Sequence, residues 1–407
     1  MIKERIKRFI QVVAWRFFHI YLEWRVHCIR KKETIRFLFV LQELSQWKTE
    51  MLYKAMLRHP RFDPILGIAP CLGYPGAESK VIDYCEKKGY RYIMLDSTKT
   101  LSEQIDVDIV AHQKPYSREI NPAHRITKNR RIPVVYIPYY LSTITENWIV
   151  NERLCLLAWR VFIDNEGSKQ DWSRMHRLKG INYAVTGLPI MDELLIPKSQ
   201  FLDVWPVNDK RKRIIYAPHH TIADIHLKGI GYSTFLEYGE FMLEMKEKYR
   251  DQVYFVFKPH PLLYQNLSSY WGEDRTKAYY ARWNDTGNSH IEVNDKYLAL
   301  FKYSDAMIHD CGSFTIEYMY TGNPVMYLTK DSHHKDNMTP NAAHAFDLHY
   351  KGETRDDIDR FISDVIVGRD PLKTERLSFC ENCLVPPYQK SASENILDAI
   401  LGERGFK

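Results

Sequence analysis

The sequence predicts an α/β protein of two doubly wound, Rossmann-like domains facing a cleft, with a helical basic amino-terminal segment. Three observations predict it. The 407 residues exceed what one hydrophobic core usually organises. From Pro64 onward, short β-branched runs alternate with helical stretches, the pattern of parallel sheets. The runs fall into two series, parted by a polar, charged stretch at residues 203–213 that reads as a linker.

Composition narrows the class. An apolar fraction of 45% with 13% aromatic residues argues for a buried core and against disorder. The seven cysteines are too few and too scattered for a disulfide framework, and they suit a reducing, cytoplasmic setting. Cys380 and Cys383 spell C-x-x-C, but no second pair stands at a usable spacing, so no zinc is expected. No secretory signal is visible, and no run approaches the roughly 20 apolar residues of a membrane span.

Residues 1–60 are the first expected segment. Ile2, Ile6, Phe9, Ile10, Val13, Phe17 and Tyr21 recur near helical spacing, with Lys3, Arg5, Lys7, Arg8 and Arg16 between them. The stretch holds 13 Lys or Arg against 5 Asp or Glu, a charge of +8, whereas the whole chain carries +6. Such a basic amphipathic helix suits an anionic membrane surface, where each cation contributes about 1 kcal/mol. It suits packing on the protein body or on a second subunit equally well. Nucleic acid is not expected as a partner, because no basic stripe with interleaved aromatics occurs elsewhere.

The first domain is expected over residues 61–205. Its strands read PILGIAP (64–70), YRYIML (90–95), VDIVAH (107–112), IPVVYIPYYL (132–141) and WRVFID (159–164), and the stretch 182–194 closes it. The second domain is expected over 206–407. It opens with IIYAP (214–218) and a helix over 236–250, then continues with VYFVFKPHP (253–261), SHIEV (289–293), DAMIHD (305–310) and PVMYL (324–328). Ligands of open α/β sheets bind beyond the carboxyl ends of the strands, so the loops after these runs are the candidate site.

Two of those loops carry chemistry. In the segment 304–328 a strand ends at Asp310, a small-residue turn Cys311-Gly312-Ser313 follows, and a helix runs to about Thr321 before Gly322-Asn323-Pro324 stops it. That places the amides of Ser313, Phe314 and Thr315, and the Ser313 and Thr315 hydroxyls, at a helix amino terminus suited to phosphate. In KPHP, residues 258–261, prolines on both sides hold His260 in one place after an apolar strand, aimed as a donor toward a phosphate oxygen.

In this order the motifs resemble the CDP-glycerol glycerophosphotransferases of teichoic acid and capsular polymer synthesis, enzymes of the glycosyltransferase B type fold. The matching residues are YAPHHT (216–221), KPHP (258–261), SDAMIHDCGS (304–313), Glu317, Asn323-Pro324 and the Thr-Gly-x-Pro of 186–189. The resemblance covers residues 180–330 well and the earlier domain in outline. It implies that His260 and Ser313 bind the donor diphosphate, with His219, Thr221, Lys258, Pro261, Asp310, Gly312, Phe314 and Thr315 around it. It further implies that Glu317 bonds the ribose and that Asp310 shapes the turn. An acceptor hydroxyl would attack the β-phosphorus of a CDP-alditol and CMP would leave, with no cofactor. The acceptor would be a cell-surface glycan or a lipid-linked acceptor, with the enzyme cytoplasmic or peripheral on the inner face of the cell membrane.

Two departures bear on this. The His-Gly-Thr-Pro loop of the family, whose histidine is its candidate base, is matched here by YIPYYLST (136–143), so the candidates for a base are His112 and the His219-His220 pair, each of which equally suits a structural role. Cys311-Gly312 replaces Tyr-Ser. Weaker signals are GYPGAES (73–79) as an acceptor-side loop, Asp106-Val107-Asp108 as strand-edge decoration without a metal, and HHKDN (333–337) as a solvated loop. Two other readings compete: a glycosyltransferase or epimerase of the same fold using a UDP-sugar, and a non-catalytic membrane-associated assembly factor.

Overall fold

The computed structural model describes residues 2–403 except 74, 145, 207–209, 226–230, 285–286, 294–296, 330–334 and 337, and at 2–5, 7 and 8 the backbone only. The centre of the expected linker, most of HHKDN, and the side chains of Lys3, Arg5, Lys7 and Arg8 therefore lie outside the described residues. The chain divides into two compact units, Met1–Glu193 with Val385–Lys407, and Leu194–Leu384.

The first unit is built on seven parallel strands: β1 (Ile35–Leu41), β2 (Phe62–Ile68), β3 (Tyr92–Met94), β4 (Ile109–His112), β5 (Val134–Tyr136), β6 (Arg160–Ile163) and β7 (Tyr183–Val185). Their spatial order is β3-β2-β1-β4-β5-β6-β7, so the winding reverses between β1 and β4. Strand β1 corrects the sequence reading, which gave residues 1–60 to helix alone. IRFLFVL pairs with β2 along all seven residues and with β4 on its other side. A strand covered on both faces is a continuous apolar run, and here that run sits among basic residues whose spacing suggested helix. The Asp-x-Asp motif is likewise not at a sheet edge. It precedes β4, where Asp108 is buried and accepts from Lys32 Nζ at 2.5 Å and the Arg36 amide at 2.9 Å.

The amino-terminal helix, Ile2–Ile29, carries two apolar stripes. Trp15, His19, Leu22, Val26 and Ile29 are buried against the first unit, with the His19 ring 2.9 Å from the Leu156 carbonyl oxygen. Ile6, Phe9, Ile10, Phe17, Ile20 and Trp24 are exposed. At about 100° per residue the two sets point in opposite directions. Body packing thus uses a stripe the sequence reading passed over, and most of the stripe it named stays outside. No helix among the described residues is long and apolar enough to cross a membrane.

The second unit has six parallel strands: β8 (Lys212–Ala217), β9 (Val253–Phe257), β10 (Ser289–Ile291), β11 (Ala306–His309), β12 (Val325–Leu328) and β13 (Tyr350–Gly352). Their order is β10-β9-β8-β11-β12-β13, with the reversal between β8 and β11. A core of Ile214, Phe255, Phe257, Trp283 and Ile308 fills the space between sheet and helices.

The carboxy-terminal stretch was expected in the second domain. Its helix Ala392–Leu401 instead returns to the first unit, burying Ile396, Leu397 and Ile400. Two polar clamps hold it there. The Asp192 carboxylate accepts from the Ala392 and Ser393 amides at 2.7 and 2.8 Å, and the Arg30 guanidinium donates to the Ile400 and Ala399 carbonyls at 2.8 and 3.0 Å. Carboxylate at the start and cation at the end match the helix dipole. Asp192→Ala removes two charge-assisted bonds and is expected to lower the stability of the first unit by about 2 kcal/mol, read from urea denaturation.

Candidate active site

The motif loops of the second unit meet where its sheet reverses. YAP ends β8 and delivers His219 and His220; KPHP ends β9 and delivers His260; Asp310 ends β11. The His260 amide donates to the Pro218 carbonyl at 3.0 Å, which ties the two histidine loops together. Asp310 has no exposed surface, and its carboxylate accepts from the His219 amide at 2.5 Å, the Thr234 amide at 2.6 Å and the Thr234 hydroxyl at 3.0 Å. It braces the loop that carries the histidines rather than facing a ligand.

The three histidines form one cluster. Ring centroids are 4.4 Å apart for His219 and His220, 4.2 Å for His220 and His260, and 5.1 Å for His219 and His260. One ring nitrogen of each lies within 4.8 Å of those of the other two. Such a group could ligate a metal if lone pairs faced inward, but each Nδ1 is engaged by a donor. The Leu262 amide donates to His260 Nδ1 at 3.2 Å. The Asn266 side-chain amide lies 3.2 Å from His220 Nδ1 while also donating to the His220 carbonyl at 2.9 Å, which fixes the orientation of the amide. Thr221 Oγ1 accepts from the Tyr232 and Ser233 amides, so its own proton is free to go to His219 Nδ1, 3.0 Å away. In a neutral ring with Nδ1 accepting, the proton resides on Nε2. The cluster therefore presents N–H donors, an arrangement suited to an anion.

Burial is the first cause holding the cluster neutral. It lowers His260 to about 3 and pushes His219 well below the usual imidazole range, with the neighbouring rings adding to both; it also lowers His220. An entering diphosphate reverses the balance by supplying negative charge.

The turn after β11 is as expected in outline. A short helix, Phe314–Glu317, continues as a 3-10 turn, Tyr318–Thr321, and Gly322 ends it at φ +70°. Gly312, Ser313 and Phe314 are half-buried. Thr315 differs from expectation: its amide donates to the Gly312 carbonyl at 3.2 Å, its hydroxyl to the Cys311 carbonyl at 3.3 Å, and it is fully buried. Cys311 spends its thiol on the Ala217 carbonyl at 3.2 Å, a contact that needs a small side chain. Glu317 is also buried, and its carboxylate accepts from the Tyr297 hydroxyl, whose ring lies 5.3 Å from Lys258 Nζ. Pro261 is exposed beside His260.

The profile of the CDP-glycerol:poly(glycerophosphate) glycerophosphotransferase family matches residues 159–400, more than half of the chain. The chain belongs to this family. It is thus a glycerophosphotransferase-type enzyme. No curated protein matches it. Among solved structures, the UDP-GlcNAc 2-epimerase from Neisseria meningitidis bound to UDP-GlcNAc is similar at 16% identity and a TM-score of 0.60, covering 91% of this chain and 100% of that one. A putative UDP-N-acetylglucosamine 2-epimerase from Listeria monocytogenes follows at 15% and 0.59, covering 91% and 96%. The wall teichoic acid polymerase TagF is similar at 12% and 0.56, covering 98% and 97%. At these identities the likeness establishes the two-domain, glycosyltransferase B type fold.

The sequence reading of this glycerophosphotransferase missed Thr234, Asn266 and Tyr297. Each acts on a motif residue through the fold, and only Asn266, one and a half turns after His260, stood near a motif. His112 lies in the other unit, at the end of β4. It is buried, and burial lowers it to about 4. Its Nε2 is buried without a hydrogen-bond partner among the described residues.

Histidines whose folded pKa lies below the unfolded value of about 6.5 favour the native state only while neutral. The unfolded chain binds more protons between those values, so stability is full above pH 6.5 and falls as pH drops toward 3. By pH 5.5 the His260 ring alone costs on the order of 1.4 kcal/mol. The melting temperature is expected to drop between pH 7 and 5 in calorimetry, and to drop less in His219→Asn/His260→Asn.

Proposed function

We propose that this enzyme moves glycerol phosphate, or another alditol phosphate, from a CDP-linked donor to a hydroxyl of a glycan or lipid-linked acceptor. The acceptor oxygen attacks the β-phosphorus, a new phosphodiester P–O bond forms, the bond to the bridging oxygen breaks, and CMP leaves with that oxygen. The histidine cluster carries this reading: His219, His220 and His260 offer N–H donors at a sheet reversal, beside the Gly312-Ser313 turn. Such donors neutralise charge that builds on the departing phosphate, the main task of a protein in phosphoryl transfer. His112, held neutral by burial at the end of β4, is the candidate base for the attacking hydroxyl.

Calorimetric titration with CDP-glycerol, CMP, UDP-N-acetylglucosamine and UMP tests the donor. Cytidine-selective binding weakened at least tenfold in His260→Ala and Ser313→Ala, with CMP release on adding acceptor, is the expected result. Uridine selectivity would move the reading to a UDP-sugar enzyme, and silence for all four to a non-catalytic factor.

The exposed stripe of the amino-terminal helix, in a segment of charge +8, supports docking on an anionic membrane surface. Phe9→Ser/Phe17→Ser/Trp24→Ser leaves the buried stripe intact and is expected to abolish co-sedimentation with phosphatidylglycerol vesicles. Retained co-sedimentation would overturn the membrane reading.

A further inference from the structure

At the carboxyl ends of β8, β9 and β11 one device recurs: an imidazole whose Nδ1 accepts from the amide two residues further on. Thr221 donates to His219 at 3.4 Å, Leu262 to His260 at 3.2 Å and Cys311 to His309 at 3.1 Å. The shortest of these bonds belongs to a histidine outside the cluster. His309 is the last residue of β11 and has no exposed surface. It packs edge-on against Tyr327, His349 and Phe314, with ring centroids 5.2, 5.3 and 6.3 Å away.

That packing does not call for a polar ring, since a leucine would fill the place without burying nitrogen. Burial pushes His309 down to about 3, so at neutral pH the ring is uncharged. With Nδ1 accepting, the proton is carried on Nε2, which finds no partner among the described residues. An unmatched buried N–H is destabilising, so the polar function of this ring lies in Nδ1 and in the Cys311 amide it holds. That amide opens the turn Cys311-Gly312-Ser313. Three anchors converge there: the Asp310 carboxylate on the His219 and Thr234 amides, the Cys311 thiol on the Ala217 carbonyl at 3.2 Å, and the Cys311 amide on His309. Gly312 follows with no side chain to restrain it, so Cys311 is the last fixed point before Ser313.

We propose that His309 is a positioning residue for the donor: its Nδ1 holds the Cys311 amide and thereby sets the direction in which the Gly312-Ser313 turn meets the donor phosphates. This rests on the reading of that turn as part of the donor site. Two variants test it. His309→Asn keeps an acceptor at the δ position, where asparagine bonds the amide two residues on, and His309→Leu keeps bulk without an acceptor. Stability and positioning rank them in opposite order. Leucine suits the apolar surroundings, so its variant is expected to melt no lower than the asparagine variant. In calorimetric titration with CDP-glycerol, His309→Asn is expected to bind within about threefold of wild type and His309→Leu about tenfold more weakly. In hydrogen exchange without nucleotide, the amides of residues 311–314 are expected to exchange about tenfold faster in His309→Leu than in the other two proteins. Equal exchange in all three, wild-type binding by His309→Leu, or equal weakening in both variants would overturn the proposal and leave the donor reading in place. A leucine variant that loses binding and also melts below the asparagine variant would mark a merely structural role and overturn it too. Silence of the wild type toward CDP-glycerol would sink the donor reading, and with it the role given to His309, even where exchange shows the turn held.

Discussion

The buried carboxylate of Asp310 is the constraint on which the geometry of the histidine cluster depends. A charge without exposed surface survives only if the fold surrounds it with donors. Those donors come from two separate connections, the amide of His219 after β8 and the amide and hydroxyl of Thr234 ahead of the helix Phe235–Lys248. The end of β11 thereby sets where the β8 loop lies. From there the order propagates outward: Thr221 takes the amides of Tyr232 and Ser233 and turns its proton to His219. Every Nδ1 in the cluster is engaged from within the same unit. The rings are oriented before any ligand arrives, which is what electrostatic preorganisation requires.

The two units share an architecture and differ in the chemistry at their sheet reversals. In the second, neutral imidazoles offer protons and the nearest carboxylates, Asp310 and Glu317, are buried with internal partners. In the first, the Glu43 and Glu119 carboxylates hold the buried Lys114 ammonium.

Much of the fold was legible because parallel strands buried on both faces announce themselves as short apolar runs between turn residues. Of the strands, β1 was misread because its run sits in a basic stretch of helical spacing. β13, Tyr-Lys-Gly, was missed because a three-residue edge strand with one lysine has no apolar signature. The return of Ala392–Leu401 to the first unit was hidden too, since its partner Asp192 stands 200 residues earlier. At the site, His219, His220, His260 and Asp310 could be picked out because each directly follows a strand. Which of them faces a ligand could not. Thr315 and Glu317 look like ligand groups by position along a helix, yet the structure spends both internally, and the donors that orient the histidines are loop residues without local pattern.

The return of the carboxy terminus has a consequence for biosynthesis. Both chain ends belong to the first unit, and the second, Leu194–Leu384, is a continuous insertion between them. Translation proceeds from the amino end, and domains fold as units as they emerge. The inserted unit has all of its sequence before Ala392 is made, whereas the outer unit must wait, its Asp192 cap and the Arg30 clamp unoccupied. A polypeptide released before Val385 would thus carry a whole second sheet and an unfinished first unit, so premature termination damages the outer unit although most of it was synthesised first.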